Sequence, residues 1–404
     1  MRSVEEAQRR ILEAARPTPA EQVGLAEAHG RVLAEDIAAR RTQPPMAVSA
    51  MDGYAVRAAD VATVPAALKI VGYAPAGDAH DGTLGPGEAV RIFTGGPVPD
   101  GADAIVIQED TESDGKMVTV KESAPKGRYV RPAGLDFRTG DVLLRKGRLL
   151  TARDIGLAAA MNHPWLMVYR RPRVTILATG NEVVMPGDPV GPNQIVSSNG
   201  LGLAAAVRAF GAEPILLGIA PDDRDALGRM AAGAAGSDLL LTTGGVSVGE
   251  HDLVQSVLGQ QGMEVGFWQI AMRPGKPLMF GEIDGTMVLG LPGNPVSTLV
   301  CAMIFVQPAL RRMIGLGDGL PAPVKARLAA PLPRNDRRQD YLRATAQPDG
   351  AGGLLVTAFE KQDSSMMAPL AKADCLIVRP PHAEPAPAGA TVDVLAMPDG
   401  LVRL

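Results

Sequence analysis

Between residues 169 and 315 the chain alternates strand-like and helix-like segments four times, and that alternation leaves few folds open. VTILATG is an apolar run that ends in a glycine loop, and GLGLAAAVRAFG behind it reads as a helix with glycine at its C-terminal boundary. EPILLGIA with DRDALGRMAAGAA, DLLLTTGG with DLVQSVLGQ, and TMVLGLPG with PVSTLVCAMIFVQPALRRM repeat the unit. Repeated β-α units imply a doubly wound parallel sheet with helices on both faces. Ligands of such sheets bind beyond the carboxyl ends of the strands. Function is therefore sought in the loops that follow each strand.

The flanking regions differ in texture. Residues 1–168 open on a helical face, Val4, Ala7, Ile11 and Leu12, and a second helical piece is expected over Glu27–Asp36. From about residue 45 to 145, short runs such as LKIVGYA, AVRIFTGG, ADAIVIQED and MVTVKE are cut by glycine and proline. They predict a β-rich module set within a helical piece that resumes over Thr151–Met161. Residues 319–404 are again β-like (VKARLAAPL, DYLRATAQ, LLVTAF, DCLIVRP, TVDVLAM) and suit a small barrel. Three domains are expected: 1–168, 169–318 and 319–404.

Composition narrows the partners. A net charge of only −4 gives no electrostatic footprint for nucleic acid or an anionic membrane, and 3% aromatic residues supply no base-stacking platform. Cys301 and Cys375 read as free core thiols. The start MRSVEEAQRR has no apolar core of a signal peptide, and the apolar stretch 296–306 is short of the roughly 20 residues that span a bilayer. A cytoplasmic, soluble protein is expected.

The strand-end motifs carry the chemistry. TTGGVSVGEHD follows DLLL and combines Gly244, Gly245, Ser247 and Gly249 with Glu250 and Asp252. It matches neither standard nucleotide fingerprint. Glycines let backbone N–H groups approach an anion at a helix N-terminus, although a tight turn capped by Asp252 reads the same way. Glu182 of TGNEV and Asp222 of PDD end or follow two further strands. Carboxylates gathered at one sheet edge repel unless a cation bridges them, and hard oxygens suit Mg²⁺ shared with a substrate phosphate. Helix capping is the alternative for Asp222 and Asp223. Arg273 and Lys276 bracket a proline-fixed turn and suit an oxyanion. Asn294 of LPGNP precedes a helix at the same edge. SAMDGYA, with Asp52, and Thr94-Gly95-Gly96 are not diagnostic by themselves. None of the five histidines shows metal-ligand spacing.

SAMDGYA, FTGGPVP, ATGNEV, SSNG, TTGGVSVGEHD, MRPGKP and GLPGNPVS, in this order, closely resemble the molybdopterin molybdenumtransferase (MoeA) family, to which the gephyrin E-domain is similar. The resemblance implies a central MogA/MoaB-like domain, an elongated homodimer, and insertion of molybdate into adenylyl-molybdopterin with Mg²⁺-dependent release of AMP. It implies roles for Asp52, Thr94, Asp136, Asp252, Arg273 and Lys276 in catalysis. Glu182, Asp222 and Asp252 would hold the metal. Gly244, Gly245, Ser247, Asn294, Arg343 of DYLR and Ser364 of QDSS would bind substrate. Gln269 stands where some relatives have lysine. Contacts with other proteins of molybdenum-cofactor synthesis are implied as well. A non-catalytic molybdopterin-binding scaffold and a generic Mg²⁺-dependent nucleotide hydrolase are the competing readings.

Overall fold

A computed structural model describes residues 1–245, 253–317, 319–350 and 352–397. Its centre is a six-stranded sheet in the order 213–220, 173–179, 239–243, 286–291, 277–283, 264–269. The first four strands are parallel, and 277–283 runs antiparallel to both of its neighbours, 286–291 and 264–269. Leu239 and Leu241 enter one core with Val207 and Val300, while Leu240 enters another with Leu227 and Val257. A strand buried on both faces must be apolar at every position, and this is why DLLLTT does not alternate. The final two strands flank the Arg273–Pro277 turn and are not announced by the β-α alternation. Gly266 and Gly281 interrupt their apolar runs and lie where backbone or ring atoms press close.

The long helix that follows the sheet runs from Pro295 to Met313, with a π-helical segment over Ala302–Val306. Pro308 has no N–H to give its preceding turn, and proline relaxes the helical ladder in this way. The carbonyl of Ile304 instead accepts a hydrogen bond from Gln8 Nε2 at 3.1 Å. This 19-residue helix is long and apolar enough to cross a membrane by composition, but most of its apolar window is buried in the protein core. The N-terminal helix Val4–Ala14, capped by Ser3 Oγ on the N–H of Glu6, packs on it through Val4, Ala7 and Ile11. The first helix of the chain thus belongs to the central core.

Residues 27–36 are not a helix. A short 3₁₀ turn covers Leu25–Glu27, Gly30 adopts φ +72°, and Val32 and Leu33 form bridges to Leu149 and Val168. Glycine and the β-branched valine favour that extended path, and a long-range sheet contact replaces the local helix. The β-rich module is a six-stranded sheet in the order 104–107, 53–56, 88–92, 66–74, 117–120, 111–113. Helix Ala152–Ala160 follows behind a capping box between Thr151 and Asp154. At the C-terminal end, strands 339–348, 354–358, 324–328, 391–396 and 375–379 close on themselves through the pairing of the first with the last.

Cys301 and Cys375 are both free and buried. Burial pushes the Cys375 thiol up to about 11 and the Cys301 thiol further still. Native protein at pH 8 should leave both unreactive toward a thiol-specific disulfide reagent, and denatured protein should titrate both. A fast-reacting native thiol would contradict this packing.

Candidate active site

The register of the central sheet brings its strand ends to one level. Ala178 pairs with Thr243, Thr179 with Ala220, and Thr243 with Leu291. From strand 173–179 the chain crosses to 213–220 on one side, then returns to 239–243 on the other. The order therefore reverses between 173–179 and 239–243, where a crevice opens in such sheets. Gly180, Gly244 and Gly245 occupy φ values of +135°, +89° and +64°. A Cβ on Gly244 would stand 2.6 Å from the Thr179 carbonyl oxygen, and one on Gly245 would stand 2.7 Å from Val254 Cγ2. Only glycine lets these loop backbones meet.

Two adjoining cavities fill the crevice. One, of about 430 Å³, is lined by Gly180, Glu182, Asp222, Gly244, Gly245 and Leu253 among others. The other, of about 480 Å³, is lined by Ser197, Ser198, Asn199, Asn294, Ser365 and Met367 among others. Thr179, Glu182 and Gly244 border both. Asp222 and Asn181 are locked reciprocally, the N–H of Asn181 donating to Asp222 Oδ2 at 3.1 Å and the N–H of Asp222 to Asn181 Oδ1 at 3.0 Å. Two exposed carboxylates thus share one cavity with Gly244 and Gly245. That donor set suits a hard divalent cation whose shell is completed by water and phosphate oxygen. Asp252, the third expected acid, and Ser247 lie outside the described residues. Among the described residues no group of three His, Cys, Asp or Glu side chains gathers to hold a metal.

In the cationic turn the guanidinium of Arg273 pairs with Asp340 and lies 3.5 Å from Asp336 Oδ2, while its side chain stays partly exposed. Asp340 is almost fully buried, and that burial pushes its carboxyl above the usual carboxylate range despite the arginine. Residues 272–273 also pair with 339–340 of the C-terminal barrel, so the turn is fastened to that domain. Lys276, half-buried, stands three residues on in the same turn.

Arg343 is engaged within the C-terminal domain. It is only 1% exposed, and its guanidinium donates to the carbonyls of Lys361, Asp363 and Met366 and to Gln362 Oε1. A guanidinium so engaged holds a loop. The loop it holds delivers Ser364, whose Oγ accepts from Asn294 Nδ2 at 2.7 Å and whose carbonyl accepts from the N–H of Val296 at 3.1 Å. Asn294 and Ser364 thus meet, and Asn294 lines the second cavity.

The N-terminal residues group elsewhere. Asp52 Oδ1 accepts from the N–H of Thr94 at 2.7 Å and its Oγ1 at 2.8 Å, and these bonds hold the carboxyl below its ordinary value. Gly95, next to Thr94, lines a separate cavity of about 710 Å³ with Asp136, Arg131, Met46 and Leu135. This cavity shares no lining residue with the central pair. The sequence reading missed the linking side chains Asn181, Asn199 and Asp340. ATGNEV and SSNG stood out in sequence as motifs, without a role for their asparagines.

Fold and crevice define a multi-domain α/β protein with a doubly wound ligand-binding core and a carboxylate-lined cleft. Family models match along the chain: the MoeA N-terminal region (domain I and II) over residues 2–162, a probable molybdopterin binding domain over 175–312, and the MoeA C-terminal region (domain IV) over 325–397. A molybdopterin molybdenumtransferase of Nostoc sp. is 41% identical over 331 residues, covering 80% of this chain and 76% of that protein. Molybdopterin molybdenumtransferase 1 of Mycobacterium tuberculosis is 36% identical over 420 residues, covering 98% of each. The crystal structure of a molybdopterin biosynthesis MoeA protein from Pyrococcus horikosii superposes with a TM-score of 0.86 at 32% identity over 98% of both chains. The chain belongs to the MoeA family of molybdopterin molybdenumtransferases, enzymes of molybdenum-cofactor biosynthesis.

Replacing Arg343 with alanine should cost on the order of 3 kcal/mol, because several buried carbonyl-type acceptors lose their donor at once. Backbone amides of 361–366 should then exchange with solvent at least ten-fold faster. Unchanged exchange there would show that the guanidinium does not hold the loop.

Proposed function

We propose that this chain inserts molybdate into adenylyl-molybdopterin with Mg²⁺-dependent release of AMP. The observation that carries this reading is the pairing of Glu182 and Asp222 with Gly244 and Gly245 in one cavity at the sheet switch point. Acids alone would repel a pyrophosphate and glycine N–H groups alone would not need them; together they suit a phosphate that arrives with a metal. When bound, Mg²⁺ would withdraw charge from the pyrophosphate oxygens and ease the departure of AMP. The chain's own part is to orient. Asn181 fixes the Asp222 carboxylate, and the glycines keep backbone close to the phosphates. The adjoining cavity offers hydroxyls and amides beside Met367 and Val196, a lining suited to a flat polar heterocycle such as the pterin.

The N-terminal cavity bears Asp136, with Asp52 and Thr94 beside it, and does not adjoin the central one within the chain. We therefore read the active form as a homodimer in which the N-terminal module of one protomer completes the central cleft of its partner. Two buried thiols agree with a reducing, cytoplasmic setting, where contacts with other cofactor-synthesis proteins can be made.

Purified protein should release AMP from adenylyl-molybdopterin only with both Mg²⁺ and molybdate. Release without molybdate, and from ordinary dinucleotides, would mark a hydrolase; tight binding without release would mark a scaffold. Asp222→Asn and Glu182→Gln should each raise the half-saturating Mg²⁺ concentration about 10-fold or more, a size reached even by changes in the residues around a metal ligand. A normal Mg²⁺ requirement in both variants would remove them from the metal site.

The dimer reading has its own test. Asp52→Ala and Asp252→Ala chains, each inactive alone, should recover roughly a quarter of wild-type activity after subunit exchange, since half the dimers are mixed and each of these has one intact site. Verified exchange without recovery would place both residues in a site made by a single chain.

A further inference from the structure

Thr243 and Leu291 form the last rung between their strands. Beyond it, among the described residues, no backbone hydrogen bond joins Gly244 or Gly245 to 292–294. Yet the two segments touch, since a Cβ on Gly293 would lie 3.6 Å from Gly244 Cα. Side chains join them, chief among them a carboxamide from a third segment. Asn199, the first residue of helix Asn199–Ala209, donates from Nδ2 to Thr243 Oγ1 at 2.9 Å and to the Gly293 carbonyl at 2.7 Å. A carbonyl can only accept, so chemistry fixes which end of the amide faces Gly293. The Thr243 hydroxyl, having accepted, donates to the Pro292 carbonyl at 3.2 Å, and that carbonyl also accepts from Thr298 Oγ1 at 2.6 Å.

We propose that Asn199 is a positioning residue for the reaction: its carboxamide braces the strand end that leads into Gly244 and Gly245 against the turn that presents Asn294. This inference rests on the reading of the cleft given above. Asn199 does not serve its own helix, because the cap position is Ser198 and no side-chain cap bond forms there. Both amide hydrogens go to the loops that border the cavities. Removing them leaves the Gly293 carbonyl and Thr243 hydroxyl without that donor, and the loops lose their shared reference. Displacement of reacting groups by about 1 Å can cost 100-fold in rate.

The test compares Asn199→Ala and Asn199→Asp with Thr175→Val. Thr175 Oγ1 bonds Ser237 Oγ at 2.5 Å, both buried, at the opposite end of the same sheet, so its loss weakens the sheet without touching the cleft. Melting temperature, kcat for AMP release, KM for molybdate, and hydrogen exchange in the ladder-bonded strand ends 241–243 and 289–291 that carry the two loops are measured. Asn199→Ala should lower kcat roughly 10- to 100-fold with KM for molybdate within about two-fold, and exchange in both segments should rise about ten-fold. Asn199→Asp sets a carboxylate oxygen against the Gly293 carbonyl and should be no better. Thr175→Val should keep kcat even where its melting temperature falls as far. Wild-type kcat and exchange in Asn199→Ala would overturn the proposal, as would an equal kcat loss in Thr175→Val. If wild-type protein releases no AMP, the functional reading fails, and the exchange measurement alone still decides whether Asn199 holds the loops.

Discussion

Every functional inference depends on the register of one parallel sheet. Strands 173–179, 239–243 and 286–291 end level because Ala178, Thr243 and Leu291 lie across from one another. The level is held by burial on both faces, since sliding one strand by a residue would carry its side chains to the wrong core. With Leu239 and Leu241 in one core and Leu240 in the other, such a slip is costly on both sides. Three loops therefore start from a common edge, and glycines at 180, 244 and 245 let them approach closely enough to form a crevice.

The other domains are tied to that edge. The C-terminal barrel docks through residues 339–340 beside Arg273 and again through Ser364, which meets Asn294 and Val296 at the start of the long helix. Arg343 acts one step back, fixing the loop that bears Ser364 and Ser365. The N-terminal helix reaches the same long helix from its far side, where Gln8 satisfies a carbonyl that Pro308 cannot. Two charged side chains expected to meet substrate, Arg273 and Arg343, are engaged in this docking. Arginine suits the task because its planar fork reaches several oxygens at once.

Much of this was legible in sequence, for identifiable reasons. DLLLTTGG is an uninterrupted apolar run followed by glycines, so strand, loop and helix could be read locally. Glu182 and Asp222 stood out because a strand-end acid in a β-α unit has a known place. The strands at 264–269 and 277–283 escaped because glycines break their runs and their pairing is antiparallel, outside the β-α rhythm. The false helix over 27–36 arose where local composition was outweighed by bridges to Leu149 and Val168, more than a hundred residues away. The partners of Arg343, Arg273 and Asn199 are set by how loops close in space, and no local pattern encodes them.

The central claim is that Glu182 and Asp222 form a metal-bearing, phosphate-binding edge. Crystals grown with Mn²⁺ and a non-hydrolysable analogue of adenylyl-molybdopterin, with data collected at the manganese edge, test it most directly. An anomalous peak at coordination distance from both carboxylates, with analogue phosphate oxygens in the same shell, is the expected result. A peak elsewhere, or an analogue seated away from Gly244 and Gly245, would contradict the account.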